Sequence, residues 1–329
     1  MKKEYYYVYC QGLLGVKTDL QEFKWVYGSA APAASAEAYE NCLVRFDVRF
    51  MPEKNLSEMT GCDDRFQAFA WEEKTETLYY RRNLLPGLRV GYNLSISGNV
   101  VNVQVGTLYS KLVRNRVMNL HGVYYLLADV ANMMLMRNGY LTLYASAVTD
   151  RTGSCGMVFF APPNTGKTLT ATKLCTECGC RLVGEDVVIT DGKKIYGCPW
   201  TSSYRKAGKI GDSAGALGRT DSAGQLPTIE ESPVTDLVVL SPGKNKIINE
   251  KEDVLRRIKV LSGYLFHYFS SPIVKVLGYF EPAYACPWNA CAEKLLEEMA
   301  DNCICREFRA ENAPAFGEMA ESIVLGEEI

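Results

Sequence analysis

The sequence predicts an α/β protein in which a mixed-sheet domain built around a phosphate-binding loop, over 116–329, follows a smaller, mostly antiparallel β module of α+β character, over 1–115. Three observations predict it. Short runs of alternating aromatic, β-branched and polar residues crowd the first third of the chain. An apolar strand, a glycine-bearing loop and a helical stretch follow one another at 156–178. Turn signals flank that loop on both sides, so its sheet must mix hairpins with a crossover.

With 329 residues, 47% of them apolar, the chain can form one large domain or two ordinary ones, each with a sizeable core. Its 36 basic and 38 acidic residues leave a net charge of −2, which gives no reason to expect nucleic acid or an anionic membrane as partner. The longest apolar run, "GVYYLLADVANMMLM", is 15 residues long, too short for a bilayer, and it contains Asp129. The start, Met1-Lys2-Lys3-Glu4, does not read as an export signal, so the expectation is a cytoplasmic protein with reduced thiols. Among the 12 cysteines, "CTECGC" groups Cys175, Cys178 and Cys180, and a zinc site would recruit a fourth ligand such as Cys198. No second C-x-x-C completes a ligand set and Gly179 suits a helix end, so core packing is the expected role.

In the first third, "YYYVYC" (5–10), "CLVRFDVRF" (42–50), "FQAFAW" (67–72), "TLYYRR" (77–82), "RVGYNLSIS" (89–97) and "VVNVQVG" (100–106) read as strands, the last two joined at Gly98-Asn99. They carry no catalytic constellation, which suits a scaffold or recognition module. Helical spacing then runs from about 113 to 137, with Met118, Val123, Leu126, Leu127, Val130, Met133 and Met134 on one face and His121 in a packing or capping role. "YLTLYASAVT" (140–149) and "GMVFFA" (156–161) read as a hairpin, and "GKTLTATKLCTEC" as a helix. "RLVGEDVVIT" (181–190) reads as one extended segment turned by Asp191-Gly192 into "KKIYG". The stretch 210–227, rich in Gly, Ala, Ser and Asp, reads as a mobile loop. "VTDLVVLSPG" (234–243) reads as a strand and turn, followed by helical pattern at 250–269 and 288–300, extended "CICREF" (303–308) and an acidic tail.

The chemistry gathers at "FFAPPNTGKT" (159–168), which fits G-x-x-x-x-G-K-[ST] except that Ala161 stands at the first glycine. Pro162 and Pro163 have no N–H to donate, so an anion must be held by Asn164, Thr165, Gly166, Lys167 and Thr168, with Leu169 in the first helical turn. The helix N-terminus attracts negative charge, Lys167 supplies a cation, and the Thr168 hydroxyl suits Mg²⁺. Glu185 and Asp186 close an apolar strand, Asp186 lying 19 residues after Lys167, where strand, loop and helix can return them beside Thr168. An AAA-type ATPase needs an acid-ending strand much further along, and "LVVLSPG" ends without one.

On these residues the sequence resembles the C-terminal domain of the HPr kinase/phosphorylase family and its HPr-kinase-like relatives, whose P-loop kinase fold is shared with ATP-dependent phosphoenolpyruvate carboxykinase. The resemblance covers roughly 139–200 and continues weakly to the C-terminus. It is carried by "LYASAV", "GMVFFAPPNTGKT", "GCRLVGEDVVI" and "IYGCPW". It implies that Lys167 and Thr168 occupy the phosphate and Mg²⁺ positions, and that Glu185 and Asp186 form the acidic pair, with Asp186 activating an acceptor hydroxyl. The implied reaction is Mg²⁺-dependent transfer of the γ-phosphoryl group of ATP to a peptide serine or a small-molecule alcohol.

Three positions depart from that family. Tyr144 replaces its histidine, Leu169 stands where the protein kinase members carry an acid, and Ala161 replaces glycine. A tyrosine, with an ordinary pKa near 10, donates a hydrogen bond but is no base at neutral pH, which points away from a phosphorylase half-reaction and from HPr as substrate. Tyr144, Tyr204, Arg205 and Lys206, with Lys209, are the candidate substrate contacts. A nucleotide-binding regulatory module without transfer activity is the alternative. Carboxykinase chemistry would require a second metal site built from histidine and lysine, and the chain has only His121 and His267 to offer.

Overall fold

The computed structural model describes residues 3–28, 31–59, 61–115, 120, 122–197, 226–262, 271–284 and 289–326. His121, His267, Met118, Cys198 and the segment holding Tyr204, Arg205, Lys206 and Lys209 lie outside the described residues, as does 210–225 of the expected mobile loop. The chain divides into two compact units, one of Met1–Trp25, Ala31–Met134 and Phe269–Cys286, the other of Val26–Ala30, Leu135–Tyr268 and Pro287–Ile329. The division therefore falls later than the expected 115/116 boundary, and the first unit takes back a later segment.

The first unit is an eight-stranded sheet of β1 (Tyr5–Tyr9), β2 (Leu14–Thr18), β3 (Val44–Met51), β4 (Asp64–Phe66), β5 (Phe69–Glu72), β6 (Thr77–Leu85), β7 (Leu88–Ser97) and β8 (Val100–Gly106). Its order is β1-β2-β3-β8-β7-β6-β5-β4. The β8-to-β4 run is antiparallel as expected, but β3 pairs parallel with both β2 and β8, so the sheet is mixed. The crossover that a parallel β2–β3 pair requires carries helix α1 (Ala36–Glu40), capped by Ser35. In β3 the alternation Val44, Phe46, Val48, Phe50 faces the core, which is the period-two pattern that made this strand legible. The returning segment adds a helix, Ser271–Phe280, whose Tyr279 ring stacks on Trp71 at 5.3 Å and whose Lys275 pairs with Asp64 at 3.0 Å.

Instead of one helix over 113–137 there are two, α2 (Thr107–Arg114) and α3 (Val123–Arg137). In α3 the apolar side chains of Leu126, Leu127, Val130, Met133 and Met134 are wholly buried, and Asp129 sits among them, 2% exposed, with its Oδ2 unpartnered. Burial pushes the Asp129 carboxyl well above the usual carboxylate range. Above the ordinary aspartate value the unfolded chain releases a proton that the native state keeps, so stability falls as pH rises through that window. Thermal melts of the wild type should accordingly show a lower midpoint at pH 8 than at pH 5, and Asp129→Asn should shrink that difference; an unchanged slope would remove Asp129 as its source.

The second unit contains β9 (Leu141–Leu143), β10 (Ser146–Thr149), β11 (Gly156–Phe160), β12 (Arg181–Gly184), β13 (Val188–Thr190), β14 (Lys194–Gly197), β15 (Glu231–Pro242), β16 (Lys246–Ile248) and β17 (Ile304–Ala310). Its helices are α4 (Lys167–Glu177), α5 (Lys251–Ser262), α7 (Ala290–Asp301) and α8 (Ala313–Leu325), with α6 being Ser271–Phe280 of the first unit. The nine strands form one mixed sheet. β12-β10-β11-β15-β17-β16 make one row, and the first residues of β15 also pair with β14, which leads through β13 to β9. The hairpins expected on either side of the loop are present, β10 with β11 and β13 with β14.

Two expected strands are each broken in the middle. The segment 140–149 is β9 and β10, interrupted at Tyr144-Ala145, and 181–190 is β12 and β13, interrupted at Glu185-Asp186-Val187. The halves go to different rows: β10 pairs with β12, and β13 with β9. Close backbone approach at the break explains two glycines, since a Cβ on Gly197 would stand 1.9 Å from the Val183 carbonyl oxygen and one on Gly184 2.8 Å from that of Val187.

The expected acidic tail is instead helix α8. Asn312 caps it by accepting from the Ala315 N–H, a proline stands in its first turn, and Ala315, Phe316, Gly317 and Ala320 form its buried side. With α4 it covers a core of Phe159, Leu174, Leu182, Val238 and Phe308. No helix among the described residues is long and apolar enough to cross a membrane.

Candidate functional site

β11 is buried at all five positions, and Ala161, which follows it, is wholly buried with φ outside the positive region. Glycine's freedom is therefore not needed there, and the methyl group packs into the core of the unit. The chain turns at Asn164, with φ 62°, a left-handed conformation that asparagine tolerates. This turn brings the Thr165 N–H to the Pro162 carbonyl at 3.4 Å. Of the five amides expected to face an anion, that of Thr165 is thus turned onto the loop itself.

Gly166, with φ 131°, opens α4, and no side chain caps the helix there. The N–H groups of Lys167, Thr168 and Leu169 fall in the first turn, where an α-helix offers them no internal partner. Gly166 also sits against α8, since a Cβ on it would stand 3.0 Å from that of Ala313. Gly166→Ala should therefore cost about 1–3 kcal/mol through backbone strain and crowding, and lower the melting temperature together with any anion affinity of the loop. A variant that melts and binds like wild type would refute this account of the loop.

Lys167 points inward and is 5% exposed. Its Nζ donates to the Ala161 carbonyl at 2.9 Å and lies 4.0 Å from the centre of the Tyr144 ring. That ring is the residue's second partner, through attraction between the ammonium and the aromatic face. The contact assigns Tyr144 a role the sequence did not suggest, holding the lysine. Burial lowers the Lys167 pKa to about 8, against the opposing pull of Asp186.

Asp186 lies in the broken strand. The Val187 N–H reaches the Glu185 carbonyl at 2.7 Å, a three-residue turn centred on Asp186 with φ 63°. The Asp186 carbonyl accepts from the Ala145 N–H at 3.1 Å, which ties one strand break to the other. Tyr144 and Asp186 are brought to the lysine by these paired breaks. Burial raises the Asp186 carboxyl, and Lys167 acts to lower it. Glu185, in the same turn, is 6% exposed.

The arrangement joins Lys167, Asp186 and Tyr144, with Glu185 adjacent and Asn164, Thr165, Gly166, Thr168 and Leu169 along the loop; Thr168 is exposed and Leu169 half-buried. The residues expected to hold a divalent cation, Thr168, Glu185 and Asp186, offer only oxygen atoms, one hydroxyl and two carboxylates. This fits Mg²⁺, which is ordinarily held by one or two carboxylates together with phosphates and water rather than by a protein cage. No cluster of three or more His, Cys, Asp or Glu suited to a metal occurs among the described residues. Cys175 and Cys180 belong to the core and Cys178 packs at its edge, burial pushing the Cys180 thiol up to about 11. Sequence reasoning missed Ala313 and Phe316, which back Gly166. The Asn312 cap and the small and apolar residues spaced along 315–320 were the available signal.

No protein-family model matches the chain, and the search of curated proteins returned no match.

Proposed function

We propose that the chain is an ATP-dependent kinase of the HPr-kinase-like P-loop type, transferring the γ-phosphoryl group to a hydroxyl. The observation that carries this reading is the buried Lys167 ammonium, coupled to a carboxylate held in a left-handed turn, at the uncapped start of a helix. In the ground state Lys167 is held by the Ala161 carbonyl, a contact it can exchange for phosphate oxygens without leaving the loop. The helix-end amides would bind the anion, and Lys167 would offset charge growing on the transferred group. Thr168 with the acidic pair would hold Mg²⁺, which would supply positive charge to offset that of the phosphates. Asp186 would take the acceptor's proton as its oxygen forms a bond to the γ-phosphorus and the bond from that phosphorus to the β-bridging oxygen breaks, releasing ADP.

A regulatory module that only holds nucleotide would use Lys167 and the Mg²⁺-holding residues but would need no group placed to take an acceptor's proton. The two readings separate by experiment. A fluorescent ATP analogue titrated with Mg²⁺ measures binding, and label from [γ-³²P]ATP appearing on an alcohol or a serine peptide measures transfer. Binding without transfer to any acceptor would leave only the regulatory module; absence of binding would overturn both.

A further inference from the structure

β11, β15 and β17 run parallel, so the segments that follow them emerge on one edge of the sheet, the edge where α/β proteins hold ligands. Beside the phosphate loop on that edge is a groove of about 1020 Å³, with Pro162 at one side and the β15–β16 turn, α5 and the end of β17 forming the rest. Five cationic side chains line it: Lys244 from the turn and Lys246 from the start of β16, Arg256 and Arg257 from α5, and Arg309 from β17. Among the described residues that line it, two carboxylates oppose them, with Glu250 acting on Arg309 from outside the lining. Glu307 pairs with Arg257 and with Arg309, the latter at 3.1 Å, and Asp253 pairs with Arg256 at 2.5 Å. The exposed Lys244 and Lys246 pair with no acid among the described residues, and the groove keeps an excess of positive charge.

The position of the groove indicates which end of a bound nucleotide it would face. In a phosphate loop the lysine reaches the β- and γ-phosphates. Here the Lys167 ammonium rests on the Ala161 carbonyl, one residue before Pro162 at the side of the groove, so a nucleotide held by the loop would turn its γ-phosphate end towards the groove. A nucleotide's base would leave by the other end of the loop, towards Thr168 and Leu169.

We propose that this groove is the acceptor subsite, and that the acceptor is a small alcohol bearing an anionic group, a phosphate or a carboxylate, held by Lys244 and Lys246 with help from the arginines. The proposal rests on the kinase reading. The charge excess recruits an anion and concentrates it at the reacting end. The volume sits just above the roughly 300–1,000 Å³ typical of small-ligand sites, and the cations converge from three parts of the fold as a compact anion requires.

The test is calorimetric titration of glycerol 3-phosphate, glycerate, neutral glycerol and an acidic serine peptide, each with and without a non-hydrolysable ATP analogue and Mg²⁺. Wild type is compared with the exposed double variant Lys244→Glu, Lys246→Glu. At least one anionic alcohol should bind, whether phosphate or carboxylate being decided by the first two arms, and glycerol should not. The double variant should weaken that binding at least tenfold while changing affinity for the analogue less than twofold. The proposal is overturned if neither anionic alcohol binds, if glycerol binds as well, if the peptide alone binds, or if charge reversal has no effect. An anionic alcohol that binds the groove while the analogue fails to bind would instead sink the kinase reading and leave an anion site.

Discussion

On the kinase reading, Lys167→Met should slow phosphoryl transfer severely and yet raise the stability of the protein at neutral pH. Loss of the cation at the γ-phosphate end should lower kcat by about 10²–10³-fold or more, the scale of losing one preorganised charge-stabilising group. The stability gain follows from burial. A lysine 5% exposed whose pKa falls from 10.5 to about 8 is charged in the folded protein at neutral pH at a cost, nominally about 3 kcal/mol by linkage. Methionine fills similar volume without that charge. Part of the gain is lost, because the Ala161 carbonyl gives up its donor and Asp186 its counter-charge, so a net gain of about 1–2 kcal/mol is expected.

The pH dependence provides a second readout. Between about pH 8 and 10.5 the native lysine has released a proton that the unfolded chain still holds, so wild-type stability should climb across that window and the variant's should not. Transfer retained within tenfold, or a variant that melts well below wild type, would contradict the account of Lys167.

On the kinase reading, Asp186→Asn should lower kcat by about 10²–10⁴-fold, the usual contribution of a positioned general base, while nucleotide affinity in the presence of Mg²⁺ falls far less. The substitution is a clean one. Asparagine accepts the left-handed backbone that Asp186 adopts, so the turn and its link to Ala145 should survive, and the change isolates the carboxylate's charge. A variant with wild-type turnover would remove Asp186 as the base, and one that has lost nucleotide affinity altogether would make it primarily a metal or binding residue.

Much of the local structure was legible. The alternation of Val44, Phe46, Val48 and Phe50, the turns at Gly98-Asn99 and Asp191-Gly192, and the strand–loop–helix around Lys167 depend on periods and turn residues that neighbours in sequence settle among themselves. The breaks at Tyr144 and Asp186 were not legible. Gly184-Glu185-Asp186 interrupts one of the two apolar runs, but the halves on either side are each buried in their own row of the sheet, and hydropathy records burial without recording which strand is the partner. Helix α8 was hidden by the acidic residues along its outer side, although its cap and buried face are present in the sequence.

The amino-acid order by itself determined that a helix begins at a Gly-Lys-Thr loop, that two acids follow on the next strand segment, and that the first third is sheet. Only the tertiary structure decided that Tyr144 holds Lys167, that Asp186 occupies a left-handed turn tied to Ala145, and that Lys244, Lys246, Arg256 and Arg309 share one groove. The physical reason is range. Helix starts and turns are set by contacts within a few residues, whereas these groupings come from strand pairings between segments tens of residues apart, which local sequence patterns do not specify.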